Sequence, residues 1–306
     1  MSPPPRVAPD VHGTVERPDV SVVIVHYETP DLLLDCLHAL RSSRDAERFQ
    51  VFVIDNGSRS FDAAACRAVL PGVTVIENGE NLGFSRASNI GLRRASGRYL
   101  LLLNPDAVVA PETIATMREY LDQRPEVGAA TCRLELPDGS LDLACRRLFP
   151  TPARSFYRMT LLSRLFPRSR QFGQYNLTYL DEWEETEIDQ PCGAFMMVRR
   201  TVADAVGFLD EDYFMYGEDI DWAYRIKQAG WRIMYTPITT VRHVKRASSR
   251  QDRARTIRWF HDSMRIFYRK HYRAVYPTWV TGLVMTGIAL RERTELALEA
   301  ARGRRA

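Results

Sequence analysis

The sequence lacks several features that define common classes of protein. Its five cysteines are widely spaced and odd in number, and none belongs to a Cys-x-x-Cys pair, which argues against a disulfide framework and a zinc site. No Gly-x-Gly-x-x-Gly stretch follows a predicted strand, so nicotinamide binding is not indicated. Residues 279–290 form an apolar run that is too short to span a membrane. We therefore expect a protein of the reducing cytosol.

Net charge is also small, but it is unevenly distributed along the chain. The formal net charge is +4, and the hydrophobic and charged fractions of 45% and 26% are those of an ordinary folded protein. Residues 242–306 carry +11 and residues 1–241 carry −7. Because the main part of the chain is acidic, nucleic-acid binding is not expected.

The two ends of the chain are predicted to lie outside the folded domain. Residues 1–19 are proline-rich without an apolar core, which predicts a disordered arm rather than a signal peptide. Residues 273–306 are predicted to form a basic, amphipathic helical tail. Such a tail could lie on an anionic bilayer surface, and the alternative is a solvated helix that packs on the domain.

Hydrophobic periodicity predicts strands that alternate with helices. The predicted strands are residues 20–25, 49–54, 73–76, 98–103, 127–131 and 193–198, and the predicted helices are residues 32–40, 61–70, 84–95, 111–123 and 200–206. This alternation indicates an α/β fold with a mostly parallel sheet and helices on both faces. Residues 146–185 show no clear period, and we expect a mobile, partner-facing excursion there.

Polar residues follow the predicted strands at their carboxyl ends, where parallel sheets bind ligands. They are Tyr27, Glu28, Asp55, Asn81, Asn104 and Asp106. Taken singly, each could be an ordinary turn residue. Asp106, on the turn Asn104-Pro105-Asp106, could also coordinate a divalent cation that neutralises a diphosphate.

Three acids open a predicted helix after Gly217. They are Glu218, Asp219 and Asp221. The helix dipole favours acids in a first turn, so capping is one reading of each. Asp221 is expected to pair with Arg225 four residues later. Glu218 and Asp219 have no such helical partner, and adjacent carboxylates tend to have a raised pKa, which suits a general base.

His243 ends the next predicted strand and could supply an imidazole ligand to the same ion as Asp106. Taken alone, a histidine at this place is more often a structural residue than a metal ligand; the presence of Asp106 and Asp219 favours the ligand. Oxygen ligands together with one imidazole suit Mn²⁺ somewhat better than Mg²⁺.

Several motifs in this order resemble those of glycosyltransferase family 2, over about residues 20–272. They are residues 22–27, 53–58, 81–83, 89–91, 104–106, 193–199 and 213–231. The Asn-Pro-Asp and Phe-Met-Tyr-x-Glu-Asp-x-Asp forms, with His-x-Lys downstream, look most like bacterial rhamnosyltransferases that act on polyprenyl-diphosphate-linked sugars. The resemblance implies a GT-A type, Rossmann-like fold with a nucleotide-binding half, residues 20–110, and an acceptor and catalytic half, residues 111–272.

The resemblance also implies roles for individual residues. Asp219 would be the general base of an inverting transfer, and Glu218 would orient the acceptor or tune Asp219. Asp106 and His243 would hold Mn²⁺ or Mg²⁺. The remaining positions would bind the nucleotide sugar (Tyr27, Glu28, Asp55, Asn81, Asn89, Asn104 and Asp106) or shape the acceptor side (Gly193, Ala194 and Trp222).

At two positions the chain departs from many members of the family. Many have Asn where this chain has Glu28, whose carboxylate would repel a diphosphate unless it faces the metal or the ribose. Many have a first Asp where this chain has Asn104, whose amide could still hydrogen-bond a ribose hydroxyl while Asp106 holds the ion.

The function expected is therefore metal-dependent, inverting sugar transfer in cell-envelope glycan synthesis. The resemblance favours dTDP-rhamnose as donor and a lipid-linked or oligosaccharide acceptor at the inner face of the plasma membrane, and a homodimer is left open. One alternative is a sugar-phosphate nucleotidyltransferase, but residues 26–30 contain no glycine for a triphosphate loop. The other is a non-catalytic nucleotide-sugar-binding scaffold, which would be favoured if Asp106, Asp219 or His243 were missing.

Overall fold

The computed structural model describes residues 6–7, 18–244 and 253–303. Most of the predicted N-terminal arm, and the Lys of the His-x-Lys motif, lie outside the described residues. The strands are β1 (Arg6–Val7), β2 (Val20–His26), β3 (Phe49–Asp55), β4 (Thr74–Glu77), β5 (Tyr99–Leu103), β6 (Ala107–Val109), β7 (Val127–Glu135), β8 (Thr186–Glu187), β9 (Phe195–Arg199) and β10 (Arg232–His243).

Ten α-helices lie in the described residues, and most of them flank the sheet. They are α1 (Pro30–Arg41), α2 (Ala63–Val69), α3 (Phe84–Arg94), α4 (Thr113–Asp122), α5 (Pro152–Met159), α6 (Leu162–Leu165), α7 (Arg200–Val206), α8 (Glu218–Gln228), α9 (Arg253–Phe267) and α10 (Thr278–Gly303). A π-helical turn at Tyr268–Tyr272 follows α9. None of these described helices is both long enough and apolar enough to cross a bilayer.

One sheet of ten strands forms the centre of the molecule, in the order β1-β4-β3-β2-β5-β9-β7-β10-β6, with β8 on β10. β4, β3, β2 and β5 are parallel neighbours. Every residue of β2 and of β5 is buried, which is typical of parallel strands covered on both faces. The predicted α/β fold with a mostly parallel sheet is confirmed.

The second half of the sheet brings β10 beside the Asn104–Asp106 turn. β9 runs antiparallel between β5 and β7, and β10 runs parallel to β7. β6 starts directly after Asp106 and pairs antiparallel with the end of β10, where His243 lies opposite Ala107. This register places His243 next to Asp106.

β10 continues through Pro237 to His243, the residue at which the sequence predicts that this strand ends. Proline cannot donate a ladder hydrogen bond. In the structure the register to β7 shifts between Thr236 and Thr240, so a bulge accommodates the proline and pairing resumes. The strand therefore reaches His243.

The predicted C-terminal helix is present and packs on the domain. A small apolar cluster joins Tyr213 to Phe267, Tyr268 and Tyr272, and Val284 and Met285 of α10 pack against it. The hydroxyl groups of Tyr268 and Thr281 lie 3.1 Å apart. One face of α10 is thus held by the protein, as in the packed-helix alternative.

Candidate active site

Helix α8 begins at a backbone geometry that favours glycine. Gly217 has a φ of +84°, in the left-handed region where a β-carbon is unfavourable. A β-carbon there would also lie 3.1 Å from the Tyr213 ring. This turn ends the preceding loop abruptly and places Glu218 and Asp219 in the first turn of α8.

Asp219 is held by an arginine that precedes it by 72 residues. Nη2 of Arg147 donates to Oδ2 of Asp219 at 3.0 Å, and the backbone N–H of Ile220 donates to Oδ1 at 2.8 Å. Arg147 Nη2 also donates to the carbonyl of Pro191 at 2.7 Å. The sequence offers no helical partner for Asp219, and the fold supplies a distant one that fixes the direction of its carboxylate.

Glu218 is the acid of the pair whose pKa is raised. Its residue is only 7% exposed, and Oε2 has no hydrogen-bond partner among the described residues. Burial, followed by the negative charge of Asp219, raises the pKa of Glu218 to about 8. The raised pKa favours the protonated form of Glu218, which can donate a hydrogen bond beside Asp219.

The third acid of the turn is structural, as expected. Oδ2 of Asp221 accepts from Nε of Arg225 at 2.8 Å, which confirms the predicted helical pair. Its Oδ1 lies 2.7 Å from Nε2 of His271. Burial would raise the pKa of Asp221, but the hydrogen bond with His271 and the charge of Arg225 lower it. Asp221 is thus an anion anchored on both sides.

A second cluster forms where the Asn104–Asp106 turn meets the end of β10. Nε2 of His243 lies 3.4 Å from Oδ1 of Asp106, and Nδ1 lies 2.9 Å from Oδ2 of Asp142. All three residues are buried. Burial would lower the pKa of His243, but the two carboxylates outweigh it and raise the pKa to about 9.

The donor set of this cluster fits a divalent cation. A carboxylate and an imidazole face each other, and the second ring nitrogen of His243 is fixed by the buried carboxylate of Asp142, the arrangement that orients metal-bound histidines. The described residues contain no group of three side chains at ligand spacing. The protein can thus offer Asp106 and His243, and a bound diphosphate and water would complete the coordination.

A single segment, residues 142–147, positions both clusters. Asp142 contacts His243, and Arg147 contacts Asp219. The segment begins after β7, where the backbone N–H of Asp142 donates to the carbonyl of Leu134 at 2.8 Å. The sequence alone singles out neither Asp142 nor Arg147. Arg147 is one of several arginines in residues 146–185, and no local spacing relates either residue to its partner.

Asp55 and Glu28 stabilise the loops beyond β2 and β3. The carboxylate of Asp55 lies 2.9 Å from Nδ1 of His26 and accepts from the backbone N–H groups of Gly57 and Ser58. Glu28 has a φ of +55°, and its carboxylate accepts from the N–H of Arg59 at 3.2 Å. Both expected nucleotide-binding acids therefore already have partners within the protein.

The expected asparagines occupy two different environments. Asn81 is exposed in a loop where its Oδ1 accepts from Nδ2 of Asn56 at 2.9 Å. Asn89 is buried, and Nδ2 donates to the Leu209 carbonyl and to Glu211, while Oδ1 accepts from the Leu209 N–H. Both amide protons of Asn89 are engaged, so its observed role is to hold the 207–211 loop against α3.

Of the three expected acceptor-side residues, two lie beside the Asn104–Asp106 turn and one is buried in the core. Gly193 and Ala194 precede β9, and the Ala194 carbonyl accepts from the N–H of Asn104 at 3.1 Å, so this turn borders the Asn104–Asp106 turn. Trp222 is 0% exposed, and its Nε1 donates to the Gly207 carbonyl at 2.8 Å. The expectation that Trp222 faces the acceptor is therefore corrected: its side chain packs into the hydrophobic core. Tyr27 is half-buried after β2.

Comparisons with known proteins show the family and the fold of the chain. A sequence model of the family "Glycosyltransferase like family 2" matches residues 18–261. The N-acetylglucosaminyl-diphospho-decaprenol L-rhamnosyltransferase of Mycobacterium tuberculosis is 26% identical over 298 residues, which cover 94% of this chain and 96% of that protein. Rhamnosyltransferase WbbL of Escherichia coli K12 is 26% identical over 255 residues, covering 78% and 89%.

A solved structure shows the same fold. The mannosyltransferase PcManGT from Pyrobaculum calidifontis, in complex with GDP-Man and Mn²⁺, superposes with a TM-score of 0.54 at 22% identity and covers 97% of this chain and 88% of its own. The fold is therefore of the GT-A type. Because the family match spans most of the chain and includes both clusters, the chain belongs to glycosyltransferase family 2.

Proposed function

We propose that the protein transfers a sugar with inversion and that Asp219 is the general base. The base would take the proton of an acceptor hydroxyl as that oxygen attacks the anomeric carbon and the nucleotide diphosphate leaves from the opposite face. Base catalysis of this kind contributes about 10²–10⁴-fold to a rate. Neutral Glu218, next to Asp219, would orient the acceptor hydroxyl by a hydrogen bond.

The observation that carries the proposal is the shared support of the two clusters. Arg147 fixes Asp219, and five residues earlier Asp142 fixes His243. A displacement needs a base on one side of the anomeric carbon and charge stabilisation of the leaving group on the other. One short segment that holds both groups would keep their separation constant.

Asp106 and His243 would hold a divalent cation, Mn²⁺ or Mg²⁺. When bound, the cation would neutralise charge on the leaving diphosphate. Asn104, on the same turn, is half-buried and would hydrogen-bond a ribose hydroxyl. Tyr27 and Asn81 lie at the ends of β2 and β4 and would border the nucleotide, with Glu28 and Asp55 shaping its loop.

The donor would be dTDP-rhamnose and the acceptor a polyprenyl-diphosphate-linked sugar or an oligosaccharide. Both assignments draw on the names of the relatives from M. tuberculosis and E. coli. A lipid-linked acceptor would place the enzyme at the inner face of the plasma membrane. The basic tail of residues 273–306 would contribute to that placement, and the enzyme could act as a monomer or a homodimer.

Replacement of the base tests the proposal. Asp219→Asn should reduce sugar transfer by about 10²–10⁴-fold while the affinity for the nucleotide changes little, because Asp219 would contact the acceptor. Binding of dTDP can be followed by calorimetry and transfer by release of dTDP. Asp204→Asn, at a carboxylate 56% exposed on α7, is the matched control and should leave both unchanged. Equal loss of transfer and nucleotide binding in Asp219→Asn would refute the assignment.

A further inference from the structure

Five large apolar side chains are exposed together on α5, α6 and the residues that adjoin them. We call this set the α5–α6 surface; it consists of Phe156, Met159, Leu161, Leu165 and Phe166. Leu165 is 68% exposed. Monomeric proteins seldom expose a contiguous apolar patch of this kind without an interaction partner.

One residue between the two helices has an unfavourable backbone conformation. Leu161 has a φ of +61°, a left-handed conformation that costs a non-glycine residue about 1–2 kcal/mol. Its side chain is nevertheless exposed and apolar. Strained turns that gain no burial in the isolated protein are typical of functional segments.

The chain segment that contains α5 and α6 carries charge of only one sign. Residues 143–180 contain seven arginines and neither aspartate nor glutamate. Four of these arginines are exposed beside the apolar side chains: Arg158, Arg164, Arg168 and Arg170. Exposed apolar groups interleaved with arginine are the composition of segments that lie in the headgroup region of anionic bilayers.

The α5–α6 surface is continuous with the exposed face of α10. A β-carbon at Gly287 would lie 3.4 Å from Cε of Met159, so the two elements are in contact. Gly287 is one helical turn from both Leu283 and Leu290, which are exposed. Trp279, on the same face, is 68% exposed.

We propose that the α5–α6 surface and the exposed face of α10 together dock the protein on an anionic lipid bilayer. A second copy of the chain is a poorer occupant, because self-association through this surface would place arginine against arginine. The role of this docking in catalysis rests on the proposed function. Helix α5 begins five residues after Arg147, the partner of Asp219, so docking through α5 would hold the Asp219 side of the site near a lipid-linked acceptor.

Vesicle sedimentation tests the proposal with the full chain. The protein is mixed with phosphatidylcholine vesicles with or without phosphatidylglycerol, at low and high salt. Binding should require phosphatidylglycerol and weaken with salt. Arg168→Gln with Arg170→Gln should weaken binding by about fivefold per arginine, and Leu165→Ser with Phe166→Ser should weaken it at both salt concentrations.

Matched variants separate this surface from general effects. Arg67→Gln with Arg94→Gln removes two exposed arginines elsewhere, and Ile238→Ser removes an apolar side chain that is 51% exposed on β10. Both should bind vesicles like the parent protein. Circular dichroism and thermal unfolding verify that each variant is folded, which is expected because every altered side chain is exposed.

Two outcomes would overturn the proposal. One is vesicle binding that the α5–α6 variants leave unchanged. The other is a dimer, seen by light scattering, that Leu165→Ser with Phe166→Ser converts to a monomer without any change in vesicle binding; the surface would then be a subunit interface. The readout needs no donor, acceptor or metal, so failure here is distinct from loss of transfer in Asp219→Asn.

Discussion

Replacement of Glu218 by glutamine should change how the stability of the protein depends on pH. Glu218 is buried, its Oε2 has no partner among the described residues, and its pKa is raised from 4.5 to about 8 by burial and by Asp219. The unfolded chain releases this proton near pH 4.5, whereas the folded protein keeps it until about pH 8. Between these values the folded state binds one more proton, so the stability contributed by Glu218 is present below pH 4.5 and is lost as the pH rises to about 8.

The size of the effect follows from the pKa difference. Each pH unit in the window removes about 1 kcal/mol from the free energy of unfolding. Over the whole window the loss amounts to several kcal/mol, a large part of the roughly 5–15 kcal/mol that stabilises an ordinary protein. Glutamine has a similar shape but cannot ionise, so Glu218→Gln should not show this loss.

Urea unfolding at a series of pH values between about 5 and 8 measures the effect. Relative to the parent protein, Glu218→Gln should gain stability steadily as the pH rises. Glu80→Gln makes the same chemical change at an exposed loop position and should follow the parent protein at every pH. The contrary outcome is a free energy of unfolding of Glu218→Gln that differs from that of the parent by the same amount at about pH 5 and at about pH 8. That result would show that Glu218 is already ionised in the folded protein at about pH 5, and the reasoning from burial would fail.

Three further predictions concern two residues that position the site and one glycine that lies close to Phe214. Asp142→Asn removes the carboxylate that orients His243, and the Mn²⁺ concentration needed for half-maximal transfer should rise about 10–100-fold. Arg147→Met removes the partner of Asp219; the free energy of unfolding should fall by about 3–5 kcal/mol, as for other broken buried ion pairs, and transfer should fall more than nucleotide affinity. Gly83→Ala should lower the free energy of unfolding by more than its φ of +83° alone would cost, because the new β-carbon would lie 2.5 Å from the Phe214 carbonyl oxygen.

Each of these predictions has a comparison that can contradict it. Asp138→Asn, at an exposed turn, should leave the Mn²⁺ dependence unchanged. Arg147→Lys keeps the charge and should retain more transfer than Arg147→Met. Gly139→Ala has nearly the same φ, +82°, with nothing near the added β-carbon, so an equal loss of stability in the two glycine variants would show that contact with Phe214 is not limiting.

The local part of the site could be predicted from sequence because helix geometry fixes it. Asp221 and Arg225 are four residues apart, and that spacing alone places them in contact. The acids of α8 were placed in a first turn because Gly217 interrupts the chain before a helical period. The order of strands and helices was likewise readable, since burial of both faces of a parallel sheet requires continuous apolar strands such as β2.

Two residues were given roles by the family resemblance alone, and their environments differ from that expectation. Asn89 follows β4 in the chain but lies on the buried side of α3, where its amide holds the loop of Leu209. Trp222 shares a helix with the candidate base, three residues further on, but its side chain is buried in the core. Helical spacing places the two side chains on neighbouring positions, and packing decides which of them is buried in the core and which meets the site.

The sequence by itself determined the α/β fold, the strand-end position of the polar residues and the acid pair at the start of α8, because each is encoded in a pattern of neighbouring residues. The tertiary structure alone decided which distant groups meet: Arg147 with Asp219, 72 residues apart, and Asp142 with His243, 101 residues apart. Those contacts depend on strand order and on the bulge at Pro237 that carries β10 to His243. No local spacing encodes such contacts, so they emerge only when the sheet is assembled.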